Sequence, residues 1–175
     1  MSFFKSFPKV DIDVKDDGNL HKMTDLTKRI RFLDSSKLNY TRFDFYDVRS
    51  GETPEFIAHR YYGDAKLHWI ILLANNIVDY YNDWPMSVEV FERYVASKYD
   101  DVNGIHHYEY TQESGDTSFT IELPNESATT IPVDATPITN YEYEEAIQNK
   151  KRRIRLIQTE YVSKIKKEFE AKMRG

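Results

Sequence analysis

At 175 residues, with 14 % aromatic and 30 % charged side chains, the chain has the length for one domain with long extensions or two small ones. It is too aromatic for a disordered protein. A formal net charge of −5 opposes general nucleic-acid binding, which needs a basic footprint. No cysteine is present, which excludes disulfides, thiolate metal sites and cysteine nucleophiles and suits a reducing compartment such as a bacterial cytoplasm.

The opening apolar run, MSFFKSFPKV, is too short for a signal peptide, and the longest, Trp69 to Ala74, is far below membrane-spanning length. The expectation is a soluble chain kept inside a cell, with no membrane contact. Residues 1–40 read as an extended arm. Phe3, Phe4 and Phe7 precede the helix-breaking Pro8, and Val10, Ile12 and Val14 then alternate with charges as an edge-like strand. Such a segment either tucks onto its own core or docks on a partner, so the three phenylalanines are candidate interface residues. The run from Asp11 to Gly18 invites a calcium reading and fails it. With Asp13 in the first position of an EF-hand loop, Lys15 takes the third and Thr24 replaces the bidentate Glu. An acidic turn bent at Gly18 is the reading that stands. Residues 24–33 form a helical turn or a strand. Arg42 to Val48 alternates as a strand with both faces covered.

The densest pattern runs from Tyr46 to Trp84. Tyr46 and Val48 close a strand, and Ser50-Gly51 supplies a turn. Thr53 is an N-cap with Pro54 in the first helical position; Phe56, Ile57 and Tyr61 follow at helical spacing, and Gly63 stops the helix. Asp64 caps a second helix, Ala65 to Ala74, whose Trp69, Ile70 and Leu73 belong to a stripe wide enough to be buried. Trp84 reads as a plug beside the next helix, Val88 to Tyr99, which Ser87 caps and which turns Val88, Phe91 and Val95 inward. Ile105–Thr111 and Ser118–Leu123 make a hairpin looping at Ser114-Gly115-Asp116, and 124–137 reads as an irregular linker and a boundary. From Tyr141 onward the pattern predicts one long helix opened by a Thr139–Glu142 capping box. Its stripe includes Ile147, Ile154, Ile157, Tyr161, Ile165, Phe169 and Met173. A helix that long, about 50 Å, exceeds a small domain, so Ile154, Ile157, Tyr161, Ile165 and Phe169 become candidate partner contacts. The basic run 150–155 is a solvated face or a dock for an acidic subunit.

Strand, Gly51-Glu52-Thr53, helix, Tyr62-Gly63-Asp64, helix, Asn75-Asn76 resembles the LysM fold, a small β-α-α-β module known for binding chitin and peptidoglycan. It departs from that pattern at the end, where Tyr80-Tyr81-Asn82-Asp83-Trp84-Pro85 stands in place of the closing strand. A second resemblance spans most of the chain. Residues 61–87 (YYGDAKLHWIILLANNIVDYYNDWPMS) and 139–162 (TNYEYEEAIQNKKRRIRLIQTEYV) are similar to the baseplate wedge proteins of large contractile-tailed bacteriophages. That resemblance implies a structural subunit with a LysM-like core that clamps neighbouring wedge proteins in a hetero-oligomer within the virion. It implies no catalysis.

The residues themselves give no enzyme. Among five histidines no pair has the i, i+4 spacing of a helical metal site, and His106 and His107, adjacent on a strand, point to opposite faces. GxSxG, P-loop and GxGxxG patterns are absent.

The sequence therefore predicts an α+β fold without cofactor or metal: an arm (1–40), a LysM-like core with a following helix (41–100), a hairpin and linker (101–138) and a long helix (139–175). A chain cut before 141 is expected to keep a folded core. The function expected is a baseplate wedge subunit assembled in the host cytoplasm. The alternative is a wall-binding module whose glycan groove is built from Ser50, Gly51, Glu52, Thr53, Asn75, Asn76 and Ile77.

Overall fold

A computed structural model describes residues 3–28, 30, 42–114, 117–126 and 130–174. Residues 31–40 of the expected arm, part of the 24–33 segment and Gly115-Asp116 of the hairpin loop lie outside the described residues. The fold is α+β, and compactness divides the chain into two units: 1–48, 52–84 and 153–175 form one, 49–51 and 85–152 the other. These are not the four segments expected.

In the first unit, β1 (Lys9–Asp13) and β2 (Leu20–Thr24) pair antiparallel, with Val10 opposite Met23 and Ile12 opposite His21. The turn between them is built by Asp13, whose carboxylate accepts from the backbone N–H groups of Lys15, Asp17 and Gly18 at 3.2, 3.2 and 2.7 Å. Gly18, at φ +79°, supplies the left-handed step. Those bonds hold the Asp13 carboxyl below its ordinary value. The acidic run thus shapes a turn.

Strand β3 (Phe43–Asp47) leads to α1 (Pro54–Tyr62), which starts as its sequence requires: Thr53 accepts from Phe56 N and Pro54 occupies the first turn. Gly63, at φ +74°, closes it with its N–H on His59 O. Pro54, Ile57 and Ala58 are buried. Phe56, expected in the core, lies on the opposite side of the helix and is 55 % exposed, with the Arg60 guanidinium 5.6 Å from its ring centroid. Asp64 caps a 3₁₀ turn, Ala65–Leu67, before α2 (His68–Ala74). Trp69, Ile70, Ile71 and Ala74 are buried there and Leu73 is half-buried. A short helix, α3 (Tyr80–Asp83), takes the place where the LysM pattern wants a strand, because Asp79 and Asp83 tie the backbone into a capped turn.

The strand opposite β3 comes from much later. β7 (Arg153–Ile157) pairs antiparallel with it, Phe43 opposite Ile157 and Tyr46 opposite Ile154. One long C-terminal helix is therefore wrong: α5 (Asn140–Arg152), β7 and α6 (Thr159–Arg174) replace it. In Arg153-Ile154-Arg155-Leu156 the apolar residues alternate, and Ile154, Leu156 and Ile157 are buried in the core. Strand pairing and burial override the coincidental helical spacing of Ile154 and Ile157. Covering of β3 on both faces is also corrected. Phe43 is buried, but Phe45 on the same face is exposed under the Arg153 guanidinium.

In the second unit, α4 (Val88–Lys98) buries Phe91 and Val95 but leaves Val88 exposed. Strands β4 (Ile105–Ser114), β5 (Thr117–Pro124) and β6 (Thr136–Thr139) form a sheet in the order β5-β4-β6. The stretch read as linker thus contributes an edge strand. α5 opens with the reciprocal box: Glu142 N donates to Thr139 Oγ1 and Thr139 N to the Glu142 carboxylate. Ser50 Oγ accepts from Val88 N at 3.0 Å, which ties residues 49–51 to this unit.

Candidate functional site

An aromatic cluster on the first unit gathers the expected interface residues and turns most of them inward. Phe3 stacks on Phe169 of α6 at 5.1 Å and lies 5.5 Å from Trp69; Trp69 and Phe169 are 4.5 Å apart, and Phe7 packs on Phe3 at 5.0 Å. Phe7, Phe169, Ile154 and Ile157 are buried within this unit, and Phe3, Tyr161 and Ile165 pack against the same core. For Phe7, Ile154, Ile157 and Phe169 the structure corrects the expectation: they are buried in their own module, because α6 folds back onto α2 instead of projecting as a free helix, while Phe3, Tyr161 and Ile165 are half-buried. Phe4 alone of the set is exposed, at 57 %.

The expected core residues fall into three groups. Val48, Ile57, Trp69, Ile70 and Trp84 are buried, whereas Tyr46, Tyr61 and Leu73 are half-buried. Gly51, Gly63 and Phe56 are exposed; the two glycines serve turns through their positive φ. Tyr46 donates to the Glu52 carboxylate at 2.6 Å, and Arg60 pairs with Glu52 at 3.0 Å while bonding the Tyr46 hydroxyl, so three side chains pin β3 to α1. Trp84 Nε1 donates to Glu52 O at 2.9 Å.

The residues of the alternative glycan groove are committed elsewhere. Asn75 donates through Nδ2 to the carbonyls of Ile71 and Arg155 and accepts from Arg155 N at 2.8 Å. Its amide therefore acts as one more rung on the outer edge of β7. Glu52 serves Tyr46 and Arg60, Thr53 caps α1 and Ser50 holds Val88 N. Asn76 and Ile77 continue the α2 C-terminus, where Ile77 N bonds Leu72 O.

Beside Trp69 the first unit opens a groove of about 700 Å³. One wall is the side of α2 that carries Trp69, Leu72 and Leu73, and the other holds Leu26, Thr27, Lys28 and Ile30 after β2. Phe4 and Val78 stand on its rim; among the described residues Lys28, Lys66 and His68 are its basic groups and no carboxylate lines it. Sequence reasoning missed this site. Its walls come from three separated segments whose individual patterns read as core or loop.

A second cluster, wholly within the other unit, is polar. Glu144 is buried, bound by Lys98 Nζ and by the Tyr99 hydroxyl at 2.9 Å. Burial pushes the Glu144 carboxyl up, but the Lys98 and Tyr99 bonds outweigh it and hold the group below its ordinary value. His106 stacks on Tyr143 at 3.8 Å, and its Nδ1 lies 2.9 Å from His107 Nδ1, so one ring donates and the other accepts. The two rings were expected on opposite faces of the strand; a bulge between Ile105 and His107 brings them together. Burial first, then His107, hold the His106 imidazole below its ordinary value. Among the described residues no three His, Asp or Glu are grouped to hold a metal ion.

Comparison with known proteins bears on the groove side of the molecule. A family model described as base plate wedge protein 53 matches residues 1–130. The chain belongs to the base plate wedge protein 53 family. It is also similar to baseplate wedge protein gp53 of Enterobacteria phage T4, 26 % identical over 99 residues, or 57 % of this chain and 50 % of the relative. The chain thus spans about half the length of that curated relative. Membership places it among the structural proteins of the bacteriophage tail baseplate. Every residue lining the groove falls inside the stretch the base plate wedge model matches, whereas β7 and α6 lie beyond it. No described helix is long and apolar enough to cross a membrane.

Proposed function

We propose that the chain is a structural subunit of the baseplate wedge, assembled with other wedge proteins in the host cytoplasm, and that it holds its neighbours together without catalysing a reaction. The observation that carries this reading is the base plate wedge match across residues 1–130. The hairpin supports it physically. Ile12, Val14, Leu20 and Met23 are all exposed, and a lone two-stranded ribbon is marginal in water, so it gains from a partner's cover. The partners are other wedge subunits in a hetero-oligomer, and Phe4 with the hairpin is the arm that meets them. The test is phage production in a host supplying a variant without residues 9–24. Particles should stop at an incomplete baseplate while the isolated variant melts close to the parent; normal tails from that variant would discard the arm.

A second reading keeps support from one feature, the β3-α1-α2-β7 order, which is that of a LysM-like module and favours peptidoglycan binding. Against it, Glu52, Thr53 and Asn75 already bind their own backbone and side chains. Sedimentation with insoluble peptidoglycan at physiological salt separates the two: saturable binding supports the wall-binding module, and a clear supernatant identical to the denatured control leaves it as a scaffold.

A further inference from the structure

We infer that the groove beside Trp69 receives an amphipathic helical segment of a neighbouring baseplate subunit, apolar on one face and flanked by carboxylates. This rests on the wedge-subunit reading above and names the kind of partner that reading lacks.

Three observations carry it. The first is charge. The chain as a whole has 29 acidic against 24 basic residues, yet the charged groups on the groove are Lys28 and Lys66, both exposed, with the imidazole of His68 beside them. An acidic chain whose described groove lining carries cations and no carboxylate presents a local field that attracts an acidic partner and rejects a basic one.

The second observation is shape. Its floor and walls are Phe3, Trp69, Leu72, Leu73 and Ile77, and the exposed side chains of Leu26 and Val78 form its lips. About 700 Å³ accommodates the few large apolar anchors that one helix face projects at i, i+3 or i+4, and i+7.

The third is backbone. Strand addition needs an open sheet edge, and no described lining residue belongs to a strand. The described walls are the 3₁₀ turn holding Phe3 and Phe4, Leu26, Thr27, Lys28 and Ile30 outside any strand, the turn at Lys66, helix α2 and the segment 76–78. Recognition must therefore come from side chains, which suits a helix whose own backbone bonds are already satisfied.

The experiment places a benzophenone-bearing amino acid at Leu26 in one phage and at Val78 in another, on the two lips, and irradiates purified particles. Both positions should cross-link to the same segment of one other subunit, and that segment should carry apolar residues at helical spacing with Asp or Glu beside them. Lys28→Glu combined with Lys66→Glu should lower the cross-link yield about tenfold, whereas Lys28→Arg with Lys66→Arg should keep it. Melting of each isolated variant guards against a folding defect, because both lysines are exposed. Cross-links only within this chain, to a second copy of it, or to a segment without carboxylates would overturn the inference. So would their absence from both lips, or a yield unmoved by charge reversal. If the chain is missing from purified particles altogether, it is the wedge-subunit reading that fails.

Discussion

Trp69 meets Phe3, Phe169 and the helical core at once, and it does so with its Nε1–H lacking an acceptor among the described residues. Apolar burial therefore decides its position against a hydrogen bond. Trp69→Ala should destabilise the first unit by about 3–5 kcal/mol in urea titration, since it removes the residue on which two chain ends converge. Lys98 is the opposite case, a half-exposed cation whose value lies in the carboxylate it neutralises. Because Glu144 is held below its ordinary 4.5, the pair adds stability above that pH and loses it as pH falls through the lower folded value. Lys98→Met should thus cost about 1–3 kcal/mol near neutral pH, by leaving Glu144 buried with only tyrosine hydroxyls. The difference from the parent should shrink as pH falls below the lowered folded value of Glu144, where the carboxyl becomes protonated in both. A pH-independent difference in chemical denaturation would refute the pairing.

At the scale of elements, β7 is the piece on which the first unit depends. Truncation after Arg152 removes the partner of β3, the rung that Asn75 binds, and the α6 residues Phe169 and Met173 from the core. A shortened chain of 1–152 should show no cooperative transition for the first unit by near-ultraviolet circular dichroism, the reverse of what the sequence alone suggests. Local signals were readable where chemistry is local: Thr53-Pro54 and Gly63 bound α1, Ser87 caps α4, and Thr139 with Glu142 opens α5. The strand at 153–157 was not, because a run of five residues between two helices carries its period-2 signal briefly, and its partner lies over a hundred residues earlier. The alternation of Arg153-Ile154-Arg155-Leu156 was the available clue. Likewise the groove could not be read, since its cations and apolar walls meet only after folding.

For the molecule as a whole, residues 85–152 are an insertion into a module that closes without them. The insertion's ends are joined: Met86 N donates to Gln148 Oε1 at 3.1 Å, and the Met86 carbonyl accepts from Arg152. Replacing 86–151 with a short Gly-Ser linker should leave the first unit folded, with Trp69 and Trp84 still shielded from fluorescence quenchers. Exposed tryptophans in that variant would show that the module needs its insertion. The pairing of β3 with β7 also sets an order in time. Asp44 and Gln158, which bond across it, stand 114 positions apart. At ribosomal speeds β3 is made on the order of ten seconds before the strand that completes it. Through that interval the hairpin, α1 and α2 wait with Trp69 and Ile70 unsheltered, while the inserted unit already has every residue it needs. The inserted unit is thus complete on the ribosome before the first, and the nascent first half is the part left waiting for its closing strand.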